Sequence, residues 1–192
     1  MKQPFSAPRW LALREREYTG TDFASDTDRM AAVITLAEEN VRRGGGGPFG
    51  AAVFDRASGR CVAVGVNLVV ASHCSHAHAE MLAIARAQQA RRTHDLATVG
   101  RFDLFTSVEP CAMCLGAVVW SGITRLVCGA TGADAEAAGF DEGPKPADWR
   151  TALTRRGIRV RRLLLRAHAR QVLRAYADAG GLIYNPQRGR SL

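Results

Sequence analysis

The chain has 192 residues, 47% of them hydrophobic, which is enough to form the core of one compact domain. Its net charge of +8 comes almost entirely from arginine, because Lys2 and Lys145 are the only lysines. This charge permits contact with nucleic acid without requiring it, and the lack of an apolar run long enough to cross a bilayer argues against a helical membrane protein.

The first half of the chain predicts an N-terminal arm, one helix and a β-hairpin. Residues 1–26 mix Pro, Arg and Glu without a clear period, so we expect a surface arm outside a domain spanning residues 27–192. A helix is predicted from Asp26 or Thr27, because apolar residues recur at helical spacing up to Val41. The glycine-rich segment 42–50 ends this helix. Its glycines are expected to form either a flexible hinge or backbone that approaches a ligand closely. The strands "AAVFD" and "CVAVGVN" then form a hairpin.

The second half of the chain alternates helices with strands. Helices are predicted over residues 78–90, 110–120, 134–140, 148–156 and 167–179, and strands over residues 103–107, 123–130 and 158–165. A hairpin followed by alternating helices and strands is typical of an α/β fold. We therefore predict one layered α/β/α domain around a mixed five-stranded sheet, with a helix near the C-terminus.

Two short motifs place metal-binding side chains at the starts of two predicted helices. Residues 78–80 read "HAE" and residues 110–114 read "PCAMC". Cys111 and Cys114 are on one helix face, so both thiolates can join His78 around one ion. One imidazole and two thiolates suit Zn²⁺ with three protein ligands and a fourth position for water. We expect one Zn²⁺ per chain, in a catalytic site.

Glu80, two residues after His78, has a role in catalysis that a structural zinc site does not need. Zinc lowers the pKa of bound water toward ~7, and Glu80 would carry a proton from that water to a ring nitrogen and then to a departing amine. H-x-E followed by P-C-x-x-C in this order is the signature of zinc deaminases. Alternatives are a redox cysteine pair, or a non-catalytic zinc site that Cys74, His73 or His76 would complete.

The cysteine content indicates a reducing compartment. Five cysteines in a chain of this length do not form the dense framework of a small secreted domain. Cys61 and Cys128 lie in predicted strands and are expected in the core. The N-terminal segment lacks the apolar stretch of a secretory signal, so we expect a cytoplasmic protein that contacts no membrane.

Several segments resemble, in order, those of the cytidine deaminase superfamily, and within it the bacterial guanine deaminases. They are "GGPFGAAVF", "HAE", "SVEPCAMCLGAVVWSG" and "EAAGFDEGP", and with the C-terminal "IYNP" they extend over residues 28–186. The resemblance implies a cytidine-deaminase-like fold, a homodimer, and zinc-dependent hydrolysis of guanine to xanthine and ammonia. The segments "GFDEGP" and "IYNP" are the ones that favour guanine.

The resemblance also gives candidates for substrate binding. Asn67 matches a residue that binds the base, and Phe49 would pack near it. Trp120 and Phe140 are suitable in type, because a flat heterocycle needs stacking faces and a few directed hydrogen bonds. Phe49 and Trp120 are alternatively plain core or interface residues.

Glu142, in the loop "GFDEGP", is a second candidate catalytic acid, and its neighbour Asp141 is the alternative. A loop bounded by glycine and proline favours a lid. A carboxylate on that lid could accept hydrogen bonds from the 2-amino group and N1–H of guanine, and could help to protonate the departing amine.

A tRNA adenosine deaminase is the main alternative function, because it shares the zinc motif and would use the positive charge. Its candidate phosphate-binding surface is the segment 155–166, "RRGIRVRRLLLR", which fits a strand with one solvated face at least as well. Deaminases of related heterocycles, such as cytosine and aminotriazines, are a further alternative. We expect a nucleobase substrate and no nucleic-acid partner.

Overall fold

The computed structural model describes residues 7–183. The helices in this range are α1 (Arg9–Gly20), α2 (Asp26–Arg42), α3 (Val69–Ser72), α4 (Ala79–Arg91), α5 (Ala112–Trp120), α6 (Gly132–Ala137), α7 (Trp149–Arg155) and α8 (Arg166–Asp178). The strands are β1 (Gly50–Asp55), β2 (Cys61–Val66), β3 (Phe102–Val108), β4 (Arg125–Ala130) and β5 (Arg159–Arg161). None of these helices combines the length and the hydropathy that crossing a bilayer requires.

One mixed sheet organises the domain, with the strand order β2-β1-β3-β4-β5. Strand β1 is antiparallel to both β2 and β3, whereas β3, β4 and β5 run parallel to one another. The sheet is therefore an antiparallel hairpin extended by a parallel half, as the alternation of helices and strands predicted.

Two hydrophobic cores lie on opposite faces of the sheet, which makes the domain the three-layer α/β/α sandwich that was predicted. One core joins the sheet to α2 and α8 and contains large buried side chains such as Met30, Phe105 and Leu173. The other joins it to α4 and α5 and contains Leu104, Leu115 and others. Buried Cys61 and Cys128 belong to these two cores, as predicted from their strands.

Three local features differ from the sequence prediction. Helix α1 lies within the predicted arm, and it was not predicted because its buried residues, Leu11 and Tyr18, are separated by polar turns. The short helix α3 was also not predicted. Strand β5 is shorter than predicted, because Leu163 and Leu165 take left-handed backbone conformations that end the strand and lead into α8.

Helix α1 protects the exposed edge of the sheet. The Glu15 carboxylate accepts a hydrogen bond from the Val64 N–H on the edge strand β2, at 2.9 Å. The same carboxylate accepts two hydrogen bonds from the guanidinium of Arg86 on α4. An edge strand presents unpaired backbone groups that promote association with other chains, so this contact satisfies one of them and ties α1 to α4.

Glycine on β2 allows α4 to approach the sheet closely. A Cβ atom added at Gly65 would lie 2.1 Å from the carbonyl oxygen of Ala79, in the first turn of α4. No larger residue fits there without moving the helix. The position of α4 matters because its N-terminus carries the "HAE" motif.

Candidate active site

The N-termini of α4 and α5 meet at one point and bring the two sequence motifs together. His78 is the N-cap residue of α4, and Cys111 is the N-cap residue of α5, each with extended backbone. The Nδ1 atom of His78 lies 3.6 Å from Cys111 Sγ and 3.5 Å from Cys114 Sγ. Among the described residues, His78, Cys111 and Cys114 are the group whose ligand atoms could hold a metal ion, all within 4.8 Å of one another.

The geometry of these three side chains fits Zn²⁺. Tetrahedral coordination with Zn–N about 2.0 Å and Zn–S about 2.3 Å places a nitrogen and a sulfur ligand about 3.5 Å apart. The two observed nitrogen–sulfur distances, 3.5 and 3.6 Å, match this separation. The donor set and its spacing therefore suit Zn²⁺, and three protein ligands are the number found in catalytic sites.

The two thiols differ in how readily they lose a proton. The pKa of Cys111 is lowered to about 4, because its thiolate accepts hydrogen bonds from the Cys114 thiol and from His78. The pKa of Cys114 is raised, because this thiol donates to Cys111 and is buried. Without metal the pair therefore keeps one shared proton, and the thiolate needed for a metal ligand is already present at Cys111.

Glu80 lies on the first turn of α4 and faces the same space as the zinc ligands. Its side chain is 8% exposed. Burial raises the pKa of this carboxyl, and the nearby negative charge of Cys111 raises it further. A buried carboxyl group with a raised pKa, next to a metal site, is suited to proton transfer.

A pocket opens directly over this group. Its lining includes most of the residues predicted to act on a substrate, together with residues that were not predicted: Gly47, Phe49, Asn67, Val69, Val70, His78, Glu80, Glu109, Cys111, Phe140, Asp141, Glu142 and Leu182. The rings of Phe49 and Phe140 make an edge-to-face contact, with centroids 4.8 Å apart. This aromatic wall, opposite polar groups, is suited to a flat heterocycle.

Buried amide groups fix the side of the pocket that carries Asn67. The Asn40 side chain on α2 donates to the carbonyl oxygens of Gly47 and Asn67, at 3.0 and 2.9 Å. The Asn67 Oδ1 atom accepts from the Val69 N–H. The glycine-rich segment is thus held against α2, and its Gly47 lies in the pocket wall. Of the two roles predicted for this segment, the structure therefore favours backbone that approaches a ligand closely over a flexible hinge.

The two acids of the loop at residues 139–144 have different surroundings. Glu142 is 7% exposed, and burial raises its pKa to about 8. Its carbonyl oxygen accepts a hydrogen bond from the Ala112 N–H at the start of α5, at 2.9 Å. Asp141 is exposed, and its carboxylate accepts from the Gly143 N–H within the loop.

Trp120, predicted as a substrate contact, does not line this pocket. It is the last residue of α5, 83% exposed, while the ligands Cys111 and Cys114 lie at the opposite end of that helix. A nine-residue helix spans about 13 Å at ~1.5 Å per residue, so both ends cannot contact one small substrate. Trp120 instead lines a separate surface groove with Val119 and Ile158.

Sequence reasoning missed several pocket residues. Val69 and Val70 belong to the short helix α3, and Leu182 follows α8, so no local pattern connects them with the motifs. Glu109 could have been found from the sequence, because it is a charged residue directly before the "PC" of the metal motif. Its side chain is buried in the structure. The predicted "IYNP" segment lies outside the described residues apart from Ile183.

Cys74 and His76 form a separate pair. The Cys74 Sγ atom lies 3.2 Å from His76 Nδ1, and both side chains are partly or fully exposed. They are not grouped with His78, Cys111 and Cys114 as possible metal ligands. The geometry thus favours a three-residue site over a closed structural site.

Comparisons with known proteins agree with this geometry. A model of the cytidine and deoxycytidylate deaminase zinc-binding region matches residues 24–130. Guanine deaminase of Bacillus subtilis is 40% identical over 128 residues, which cover 64% of this chain and 79% of that enzyme. A solved structure of guanine deaminase from Nitrosomonas europaea is 45% identical with a TM-score of 0.86, covering 90% of this chain and 94% of that one. A tRNA-specific adenosine deaminase of Buchnera aphidicola is 36% identical over 96 residues, 50% of this chain and 57% of that protein.

The purified protein should contain about one Zn²⁺ per chain, lost on substitution of any of its three protein ligands. Metal analysis of His78→Ala, Cys111→Ala and Cys114→Ala should show this loss. Cys74→Ala is the matched control, because it removes a thiol that is not part of the group of three ligands and should retain the metal. Full zinc content in the Cys111→Ala and Cys114→Ala proteins, or loss in Cys74→Ala, would contradict the assignment.

Proposed function

The chain belongs to the family defined by the cytidine and deoxycytidylate deaminase zinc-binding region, and from this we propose that it hydrolyses guanine to xanthine and ammonia. The observation that carries the proposal is one pocket at the zinc site, lined by two of its ligands, His78 and Cys111, and by two buried acids, Glu80 and Glu142, beside an aromatic wall. The similarity to two guanine deaminases favours guanine among the amino heterocycles.

Proton transfer by Glu80 is the central step. A bound Zn²⁺ lowers the pKa of a water molecule toward ~7 and so supplies a nucleophile at neutral pH. Glu80 receives the proton of the water that attacks C2, the ring carbon carrying the amino group. It delivers that proton to the adjacent ring nitrogen. It would then carry the second proton, from the hydroxyl now on C2, to the departing amine, so that C2 keeps a carbonyl oxygen and ammonia leaves as a neutral molecule.

Glu142 is the second acid that we assign to the reaction. One carboxylate can accept hydrogen bonds from both the 2-amino group and N1–H of guanine. A pKa near 8 lets this group hold or release a proton at neutral pH, which suits protonation of the departing amine. We prefer Glu142 to Asp141, because Asp141 is exposed and already accepts a backbone hydrogen bond.

Asn67, Phe49 and Phe140 would bind the base. All three line the pocket beside Glu80 and Glu142. Phe49 and Phe140 would contact the ring through apolar faces, and the Asn67 side-chain amide would bind a ring substituent. The edge-to-face contact between the two phenylalanine rings fixes their orientation before a substrate enters.

The alternative of a tRNA substrate is not favoured. Three arginines of the candidate phosphate-binding segment 155–166 are paired within the protein: Arg161 with Asp26, Arg162 with Glu109, and Arg166 with Asp134. A phosphate would have to displace these carboxylates. Much of the positive charge in this segment thus joins elements of the fold to one another.

A homodimer is the proposed assembly. Met113 and Trp120 are seven positions apart on α5, so they share one helix face, and both are exposed. An apolar groove lined by Leu115, Val119 and Trp149 lies beside them. An exposed apolar surface of this kind is typical of a protein interface.

We place the reaction in the cytoplasm. Cys61, Cys74, Cys111, Cys114 and Cys128 are all free thiols. Thiolate metal ligands need a reducing environment to stay available, because oxidation of Cys111 would remove a ligand.

Guanine should be a far better substrate than a tRNA anticodon stem-loop. An assay of ammonia release should compare guanine with adenine, cytosine, aminotriazines and the stem-loop. Turnover of guanine should change little between about 50 and 200 mM salt, because no phosphates are neutralised. Inosine formation in the stem-loop without ammonia from guanine would reverse the proposal.

The Glu80→Gln protein should keep its zinc but lose turnover by about 10²–10⁴, the usual contribution of a positioned proton carrier. The amide keeps the size of the side chain and cannot carry the proton. Zinc content and guanine turnover measured on the same preparation separate loss of the metal from loss of proton transfer. Turnover at the wild-type rate would remove Glu80 from the mechanism.

The Trp120→Glu protein should be monomeric where the wild type is dimeric, because the change puts a charge into an apolar interface. Light scattering after gel filtration measures the mass of each species. Leu13→Glu is the matched control, since Leu13 is an exposed leucine on α1. A dimeric Trp120→Glu protein would exclude this helix face as the interface.

A further inference from the structure

We propose that Lys145 is a positioning residue for Glu142, and that Glu109 and Arg162 hold Lys145 in place. Four charged side chains, Glu109, Glu142, Lys145 and Arg162, form a connected cluster behind the pocket wall. The inference rests on the proposed function, because it concerns how the second acid of that reaction is presented to the base.

Lys145 lies between the two carboxylates. Its Nζ atom is 3.5 Å from Glu142 Oε2 and 3.8 Å from Glu109 Oε2. Its side chain is only 12% exposed, and Nζ lies 5.1 Å from the centroid of the Trp149 ring. The ammonium group is therefore held by two carboxyl groups and one aromatic face, which is unusual for a lysine, a residue that normally extends into solvent.

Glu109 is the fixed end of this cluster. Its Oε2 atom accepts a hydrogen bond from the Gly132 N–H at 3.0 Å, and its Oε1 atom is paired with Arg162 Nε. Its backbone N–H donates to the Ala130 carbonyl oxygen at the end of β4. Both carboxyl oxygens of Glu109 thus have partners, and two of its contacts are to the backbone of α6 and β4, so Lys145 is held by a rigid group.

Glu142 is held at two points, one on its backbone and one on its side chain. The backbone contact is the hydrogen bond from Ala112 N–H to the Glu142 carbonyl oxygen, at the start of the helix that carries the cysteine ligands. The side-chain contact is Lys145, which engages Oε2. The Glu142 carboxyl group also lies close to the start of α6, since a Cβ atom added at Gly132 would be 3.4 Å from Glu142 Oε2.

The position of this cluster gives Lys145 its function. Glu109 and Glu142 line both the substrate pocket and a second, outer cleft, and Lys145 lines that outer cleft with Trp149. Without Lys145, two carboxyl groups would face each other in a buried wall, and Glu142 would be free to turn toward the cleft. Lys145 holds Oε2 at the wall and so orients the whole carboxyl group toward the base.

A double-mutant cycle tests this role. The Lys145→Met and Glu142→Gln proteins and the double variant are compared with wild type for zinc content, kcat and KM on guanine, and for binding of xanthine, which needs no turnover. Lys145→Met alone should lower kcat/KM and xanthine affinity by about tenfold, the effect of losing one charge-assisted contact. In the Glu142→Gln background the same change should cost less than about twofold, because the group that Lys145 positions is already altered.

Arg150→Met is the matched control, because it removes a positive charge from an exposed residue of the neighbouring helix α7. It should leave kcat/KM on guanine and the affinity for xanthine unchanged. If Lys145→Met does not fold, Lys145→Gln replaces it in the cycle. Equal losses in both backgrounds, or no loss in the wild-type background, would overturn the role of Lys145. A wild-type protein that releases no ammonia from guanine would instead overturn the proposed function.

Discussion

The meeting of two helix N-termini is the constraint on which the rest of the structure depends. His78 and Cys111 cap α4 and α5, so the positive ends of both helices point into one space. That space favours anionic groups, and it contains thiolates and carboxyl groups. The meeting requires α4 to lie tightly on the sheet, which the missing side chain of Gly65 permits. The metal ligands are thus a consequence of how closely a helix packs on a strand.

Three buried carboxyl groups near this point have different chemistry because their surroundings differ. Burial raises the pKa of Glu80 and of Glu142, which suits groups that exchange protons. Glu109 is instead paired with Arg162 and with a backbone N–H, which suits a fixed negative charge. One residue type therefore supplies two candidate proton carriers and one structural anchor within a single pocket wall.

Much of the fold could be predicted from the sequence, because strong local patterns agree with the final packing. The apolar stripe of α2 and the alternation of strands and helices gave the correct layers and the five strands. Helix α1 could not be predicted, because it is held by contacts with residues far away in the chain, and α3 is a single turn of four residues, too short to show a period. The bond from Val64 to Glu15, for example, joins positions 49 residues apart. The end of β5 also could not be predicted. It depends on the left-handed backbone conformations of Leu163 and Leu165, and leucine as a residue type does not indicate where a strand ends.

The sequence by itself indicated the three candidate metal ligands and placed Glu80 next to them, because short spacings on helix ends fix which side chains share a face. It also determined the family, through motifs that are each contiguous in the chain. Only the tertiary structure decided that Trp120 lies away from the pocket, that Glu142 rather than Asp141 is buried, and that Lys145 contacts both acids. The physical reason is that burial and charge pairing arise between segments distant in the chain, and no local spacing encodes those distances.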